Sequence, residues 1–323
     1  MSAQGRLALA GDVGGTNVRL ALVETGDGPA RVVARSRRAV SDHSGLEEPV
    51  TAFLAEQERR PSVACFGVAA TVSGRRAAGV NLPWGLDADA LEAALGLPVR
   101  LINDFHAAAR GVEQLSSAGW FAVGGGDVEP EAPIAVLGAG TGLGQALLIP
   151  RGDGGRVVVP GEGGHRDFAP RDPLQDQLLA WLRGRHGRVS TERVLSGPGL
   201  AATYAFLVAQ GRPACPEVEA APEAERPPAV LRSGEHETCA AALDLFTDVY
   251  GAEASNLALT VLARSGVYVA GGIAPDLLGD PGRAARFRRA FEDKGRFAGM
   301  LAGYAVRVVT DGDLGLLGAA AEA

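Results

Sequence analysis

From Arg6 to Val13 the chain runs almost without interruption through apolar residues, RLALAGDV, before two glycines break the run. A short apolar run bounded by a turn signal predicts a buried strand. Asn17 to Glu24 predicts a second strand, so that Gly14 and Gly15 close a β-hairpin. Leu46, Val50, Phe53 and Leu54 recur at helical spacing and predict an amphipathic helix to about Glu58, ended by Pro61. Ser62 to Ala69 predicts a strand, and Asp87 to Leu95 a short helix with Asp87 as its N-cap. Pro98 to Asn103 predicts a strand that runs directly into a helix beginning near Phe105. Strands and helices mixed in this way predict an α/β domain.

A turn-rich bridge, GGGDVEPEAP, precedes a second block. There Pro133 to Gly138 and Gly142 to Ile149 repeat the opening layout of strand, glycine turn and strand, which points to two halves of related architecture. Helices are predicted over Pro173 to Arg185 and Gly199 to Gln210, followed by a surface loop carrying Pro213, Pro216, Pro222, Pro227 and Pro228. A long helix from His236 to Arg264 is expected to break near Gly251. A strand over Gly266 to Ala270, a helix over Arg283 to Lys294, a strand over Tyr304 to Val309 and a helix over Leu314 to Ala321 complete the pattern.

Composition narrows the function. The net charge is −7 and the basic residues are scattered, which argues against a nucleic-acid or membrane-surface partner. Arg35, Arg37 and Arg38 read as a solvated face. No run is long enough for a membrane span, and the first residues lack the apolar stretch of a leader, so a cytoplasmic protein is expected. Cys65, Cys215 and Cys239 lie far apart in sequence and form neither a disulfide framework nor a C-x-x-C zinc motif. Of the 31 basic residues only Lys294 is a lysine. A P-loop and a protein kinase each need a lysine in a set context, and FEDKGRF supplies neither. Any phosphate must therefore be held mainly by backbone N–H groups. The 45 glycines, about twice ordinary usage, suit such close backbone approach.

Four stretches carry candidate chemistry. In GDVGGTN, Gly11 to Asn17, the turn offers several N–H groups to a polyphosphate and Asp12 a carboxylate for hydrated Mg²⁺, although Asp and Gly also suit a plain hairpin. GAGTGLG, Gly138 to Gly144, fails the G-x-G-x-x-G spacing but sets Thr141 among glycines; a second such hairpin favours phosphate binding. In LINDFHAAAR, Asp104 ends a strand, where it suits either a catalytic base or a helix cap. In PGEGGH, Gly163 and Gly164 bring Glu162 and His165 onto one tight loop suited to adjacent sugar hydroxyls; no spacing there supports a metal site. The kinase-like HRD at His165 to Asp167 and Ser196 in RVLSGPG lack the contexts that would make them catalytic.

GDVGGTN, LINDF, VLGAGTGLG, PGEGGHRDFAP, ERVLSGPGL, VAGGI and FEDKGRF together resemble the bacterial ATP-dependent glucokinase family, outside its ROK relatives, over nearly the whole chain. The resemblance implies the actin-like ATPase, ribonuclease H-like α/β fold of two-domain sugar kinases. A small domain over 1–114 plus 306–323 and a large domain over 115–305 would close on a cleft, usually in a homodimer. It implies phosphorylation of glucose at O6 by Mg·ATP, the entry step of glycolysis, with Asp104 as base. Asn103, Asp104, Glu162, His165 and Glu192 would bind the sugar. Gly11, Asp12, Gly14, Gly15, Thr16, Asn17, Gly138, Gly140, Thr141 and Gly142 would hold the phosphates, with Mg²⁺ beside Asp12, and Gly271 and Gly272 would approach adenosine. The alternatives are a kinase of another hexose or amino sugar, and a sugar sensor on the same fold. Sensors of that kind carry an N-terminal helix-turn-helix, for which the hairpin starting at Arg6 leaves no room. The clustered cysteines of ROK kinases are missing, so no structural zinc is expected.

Overall fold

The computed structural model describes residues 6–26, 30–78 and 82–323; the first five, part of the stretch read for a leader, lie outside the described residues. In chain order the elements are β1 (Arg6–Val13), β2 (Asn17–Thr25), β3 (Arg31–Ala39), α1 (Glu47–Ala55), β4 (Val63–Val68), β5 (Thr71–Ser73), β6 (Arg76–Ala78), β7 (Leu86–Asp87), α2 (Ala88–Leu95), β8 (Val99–Asn103), α3 (Asp104–Gly111) and β9 (Trp120–Ala122). There follow β10 (Ile134–Ala139), β11 (Leu143–Pro150), β12 (Arg156–Gly161), α4 (Pro173–His186), α5 (Gly197–Ala209), α6 (Pro216–Ala220), α7 (Arg226–Arg232) and α8 (Glu237–Val261). The chain ends with β13 (Gly266–Ala270), α9 (Ile273–Leu278), α10 (Pro281–Glu292), α11 (Ala298–Ala302), β14 (Val306–Val309) and α12 (Leu314–Glu322).

The chain divides into two compact units, one of Met1–Trp120, Val158–Pro160 and Asp311–Ala323, the other of Phe121–Val157 and Gly161–Thr310. The first is built on a sheet of order β3-β2-β1-β4-β8, the second on one of order β12-β11-β10-β13-β14-β9. β1 pairs antiparallel with β2 and parallel with β4, and β10 pairs in the same way with β11 and β13. The repeated layout read from the sequence is therefore a repeated topology.

Alternation along β1 sets the layers of the first unit. Leu7 and Leu9 join Phe53 of α1, Phe66 and Leu91 of α2 on one face. Ala8 and Ala10 face the other way, with Ala107 of α3 and Leu316 and Ala319 of α12. Small residues on that second face let the helices come close. A Cβ on Gly318 would stand 1.7 Å from the Ala107 carbonyl oxygen, and one on Gly111 2.1 Å from that of Leu314. Glu322 fastens the far end of α12, accepting from Arg110 Nε and Arg100 Nη1, each at 2.6 Å, with His106 Nε2 at 3.3 Å. Burial alone would raise this carboxyl, but the hydrogen bonds from His106 and Arg110 outweigh it and hold it at about 2.

The arginine-rich stretch read as a solvated face is a strand, β3, whose Arg37 and Arg38 reach Asn17 and Glu56 from a largely exposed sheet edge. Two expectations from the sequence are corrected. The proline-rich segment is not loop throughout: Pro216 opens α6 and Pro227 lies in the first turn of α7, where a missing N–H costs nothing. Helix α8 runs unbroken through Gly251, because that glycine admits α10, and a Cβ there would stand 2.4 Å from the Phe287 carbonyl oxygen.

Two outcomes follow. Gly251→Ala should destabilise by about 1–3 kcal/mol in urea unfolding through overpacking, although helix propensity alone would stabilise it by about 1 kcal/mol; a gain would contradict the close crossing. Glu322 has its folded-state pKa depressed, so its contribution is complete above its ordinary 4.5 and fades as pH falls toward about 2. That contribution is on the order of 2–3 kcal/mol. Acid unfolding of Glu322→Gln should lack this component, and a pH profile parallel to wild type would refute the assignment.

Candidate active site

Parallel pairing sets the geometry of the first unit. Val13 of β1 lies opposite Val68 of β4, and Val68 opposite Asn103 of β8. The turn after β1 and the start of α3 thus share the carboxyl edge of the sheet, two strand spacings or about 10 Å apart. Ligands of open α/β sheets bind outside that edge. Asn103, not Asp104, caps α3: its Oδ1 accepts from the N–H groups of Phe105 at 2.9 Å and His106 at 3.2 Å. Asp104 is the first residue of the helix and accepts from Phe105 N–H at 2.8 Å. Gly67 lets the helix sit against β4, since a Cβ there would stand 2.9 Å from that of Ala107.

In the first hairpin, Gly14 N–H donates to Asn17 O at 3.0 Å, and Gly15 and Thr16 are exposed at the tip. Asp12, partly buried, meets Arg19 Nη1 at 3.2 Å, and Arg19 also donates to Gly312 O at 2.6 Å and Asp313 Oδ1 at 3.1 Å. Burial pushes the Asp12 carboxyl up and Arg19 pulls it back. Gly11 belongs to the core rather than the turn: it is buried inside β1, where a Cβ would stand 2.2 Å from the Phe66 ring. Gly138 likewise lies inside β10, opposite Gly144.

The second unit repeats this edge. Gly138 of β10 pairs with Ala270 of β13, so the turn of Gly140, Thr141 and Gly142 lies beside Gly271 and Gly272. Gly140 N–H donates to Gly142 O at 2.8 Å, and Thr141 is exposed. Gly271 has φ +85°, and a Cβ on it would stand 2.4 Å from Ala139 O; Gly272 faces open space. The buried Tyr250 hydroxyl ties the two turns together, accepting from Ala139 N–H at 3.0 Å and donating to Ala270 O at 3.2 Å.

Glu162, His165 and Glu192 come together in the same unit. Gly163 and Gly164 press the loop onto β11: Cβ atoms there would stand 2.0 Å from Gln145 Oε1 and 2.2 Å from Leu143 O. Thr191 N–H donates to Arg166 O at 2.8 Å, which carries Glu192 to the loop. Glu192 Oε2 accepts from Leu143 N–H at 2.9 Å, while its Oε1 stands 3.9 Å from His165 Nδ1. His165 Nε2 stands 3.8 Å from Glu162 Oε2. Both separations exceed a hydrogen bond, so the groups cluster without satisfying one another. Behind the loop Arg166 pairs with the buried Glu253, which also accepts from Gln145 Nε2 at 2.7 Å and Asn256 Nδ2 at 3.1 Å. Lys294 Nζ ends this chain on Asn256 Oδ1 at 2.7 Å, giving the single lysine a structural place. Ser196 is a buried cap, accepting from Gly199 N–H at 3.1 Å, and Asp167 pairs with Arg188.

A family model described as Glucokinase matches residues 9–323. A glucokinase of Yersinia enterocolitica is 40% identical over 319 residues, covering 97% of this chain and 95% of the relative. The chain belongs to the glucokinase family. A solved glucokinase from an Antarctic psychrotroph superposes with TM-score 0.86 at 31% identity, with 98% of each chain covered. A ROK family glucokinase from Streptomyces griseus shares the fold at TM-score 0.69 and 21% identity, covering 98% of this chain and 99% of that one. The chain thus has the actin-like ATPase fold of sugar kinases, and the ROK branch stands further off.

The residues that support these turns and loops were not visible in the sequence. Arg19, Gly67, Gln145, Tyr250 and Glu253 carry no local motif; only their partners across the fold reveal them. Tyr250→Phe strands a buried N–H and C=O, so it should cost about 1–3 kcal/mol of stability. It should also raise KM for ATP several-fold while leaving KM for glucose near wild type. Unaltered stability and ATP dependence would show that the hydroxyl does not brace the two turns.

Proposed function

We propose that Asp104 is the base in the glucose phosphorylation this chain performs, taking the proton from the 6-hydroxyl as O6 attacks the γ-phosphorus. The O6–P bond forms as the bond to the β–γ bridging oxygen breaks, and ADP leaves with that electron pair. Family membership carries the reaction itself, ATP-dependent phosphorylation of glucose. The observation that supports Asp104 is its place at the carboxyl edge of the first sheet, level with the Gly14–Thr16 turn. Asn103, Glu162, His165 and Glu192 would bind the remaining hydroxyls. For Glu162, His165 and Glu192 the support is the cluster of mutually unsatisfied polar groups around His165, because a sugar with one hydroxyl misplaced leaves such groups unpaired; for Asn103 it is its place beside Asp104 at the sheet edge.

The turns at Gly14–Asn17 and Gly140–Gly142 would present N–H groups to the ATP phosphates, and Gly271–Gly272 would let backbone meet adenosine. Asp12 suits Mg²⁺ held through water: it is a single, partly exposed carboxylate that burial destabilises when charged, and a cation would relieve that. Mg²⁺ bound there would offset charge on the phosphates. Among the described residues no helix is long and apolar enough to cross a membrane. A cytoplasmic location and a homodimer complete the reading on family resemblance.

Glucose 6-phosphate formation by two variants tests the roles. Asp104→Asn should lower kcat by about 10²–10⁴-fold with KM for glucose little changed. Glu162→Gln should instead raise KM for glucose by about tenfold or more with a smaller effect on kcat. Near-normal kcat in Asp104→Asn would remove Asp104 from the chemistry.

A further inference from the structure

The cysteines that are scattered in sequence are not scattered in space. Cys215, His236 and Cys239 each offer a ligand atom within 4.8 Å of the others. Both cysteines are fully buried and unoxidised, and His236 is half-buried. Glu217, exposed at the surface, accepts a hydrogen bond from Cys215 Sγ at 3.1 Å and is not one of that group, so solvent is left for the fourth position. We propose that Cys215, His236 and Cys239 form a Zn²⁺ site completed by a water, contrary to the expectation drawn from cysteine spacing. Two thiolates, an imidazole and a water are a donor set that zinc takes in tetrahedral geometry.

The scaffold holds these donors in place without the metal. Cys215 N–H donates to the Tyr204 hydroxyl at 2.7 Å, fixing the start of α6. Thr238 Oγ1 donates to Pro213 O at 2.6 Å, binding the first turn of α8 to the segment before Cys215. His236 and Cys239 are three residues apart at the beginning of α8, so they share a face. His236 Nδ1 caps that helix by accepting from Thr238 N–H at 3.3 Å, a long bond that metal ligation can replace or leave.

Zinc would close the excursion from Cys215 to Cys239, which carries α6, α7, Pro216, Pro222, Pro227 and Pro228. A clip at the mouth of a long segment removes freedom from the unfolded chain. Binding forms two Zn–S bonds and releases the two thiol protons to solvent. Without a metal, burial and the neighbouring Cys215 push the Cys239 thiol up to about 12, so it is a poor nucleophile for disulfide exchange.

Co²⁺ is the probe. Titrating the reduced, chelator-stripped full chain should give thiolate-to-cobalt charge transfer and tetrahedral ligand-field bands that saturate at one equivalent, and Zn²⁺ should abolish them. Cys239→Ser and His236→Gln should each weaken Co²⁺ by about tenfold or more, whereas Cys65→Ser should match wild type. Zn-edge X-ray absorption of the wild type needs no variant and should show two sulfur and two lighter neighbours. An all-oxygen-or-nitrogen shell, or charge transfer that survives in a folded Cys215→Ser/Cys239→Ser chain, would overturn the site.

Discussion

The parallel register of β1, β4 and β8 is the constraint on which the candidate site residues of the first unit depend. Val13 opposite Val68 and Val68 opposite Asn103 bring the glycine hairpin and Asp104 to one sheet edge. A one-residue slip in either ladder would turn every side chain of a strand to the opposite face. It would put Ala8 and Ala10 where Leu7 and Leu9 belong, and the close contact of α3 and α12 would be lost. Core packing therefore enforces the register, and the register delivers the proposed base, Asp104. The second sheet uses the same order of strands to align the turn at Gly140 with Gly271.

Within that frame, glycine and arginine divide the work. With one lysine available, the proposed phosphate contacts fall to exposed turn amides, which need no side chain and little reorganisation. Arginines act behind these turns instead: Arg19 restrains Asp12, and Arg166 anchors the Glu162–His165 loop to Glu253. The glycine excess has several causes. Gly163, Gly164 and Gly271 allow backbone to press on neighbouring chain near the site, whereas Gly11, Gly251 and Gly318 serve the core and helix crossings.

Elements with a one-sided apolar pattern were legible in the sequence, as were the turns at Gly14 and Gly140. β3 was not, because arginines occupy both its faces, and α6 and α7 were hidden by prolines that open helices as readily as they break them. Glu162 and His165 stood out because a glycine pair isolates them in one motif. Glu253 and Tyr250 did not, since each looks like any other residue of a long helix until its partners more than a hundred positions away are known. Cys215 and Cys239 are far apart in sequence, and their meeting depends on the path of the intervening chain.

The central claim is that ATP is consumed to phosphorylate glucose at O6 and not merely hydrolysed. Phosphorus NMR of the wild-type reaction reads this directly. The account predicts one glucose 6-phosphate for each ADP, with negligible inorganic phosphate whether or not sugar is present. Sugar-independent phosphate release, or a phosphoryl group on another hydroxyl, would contradict it.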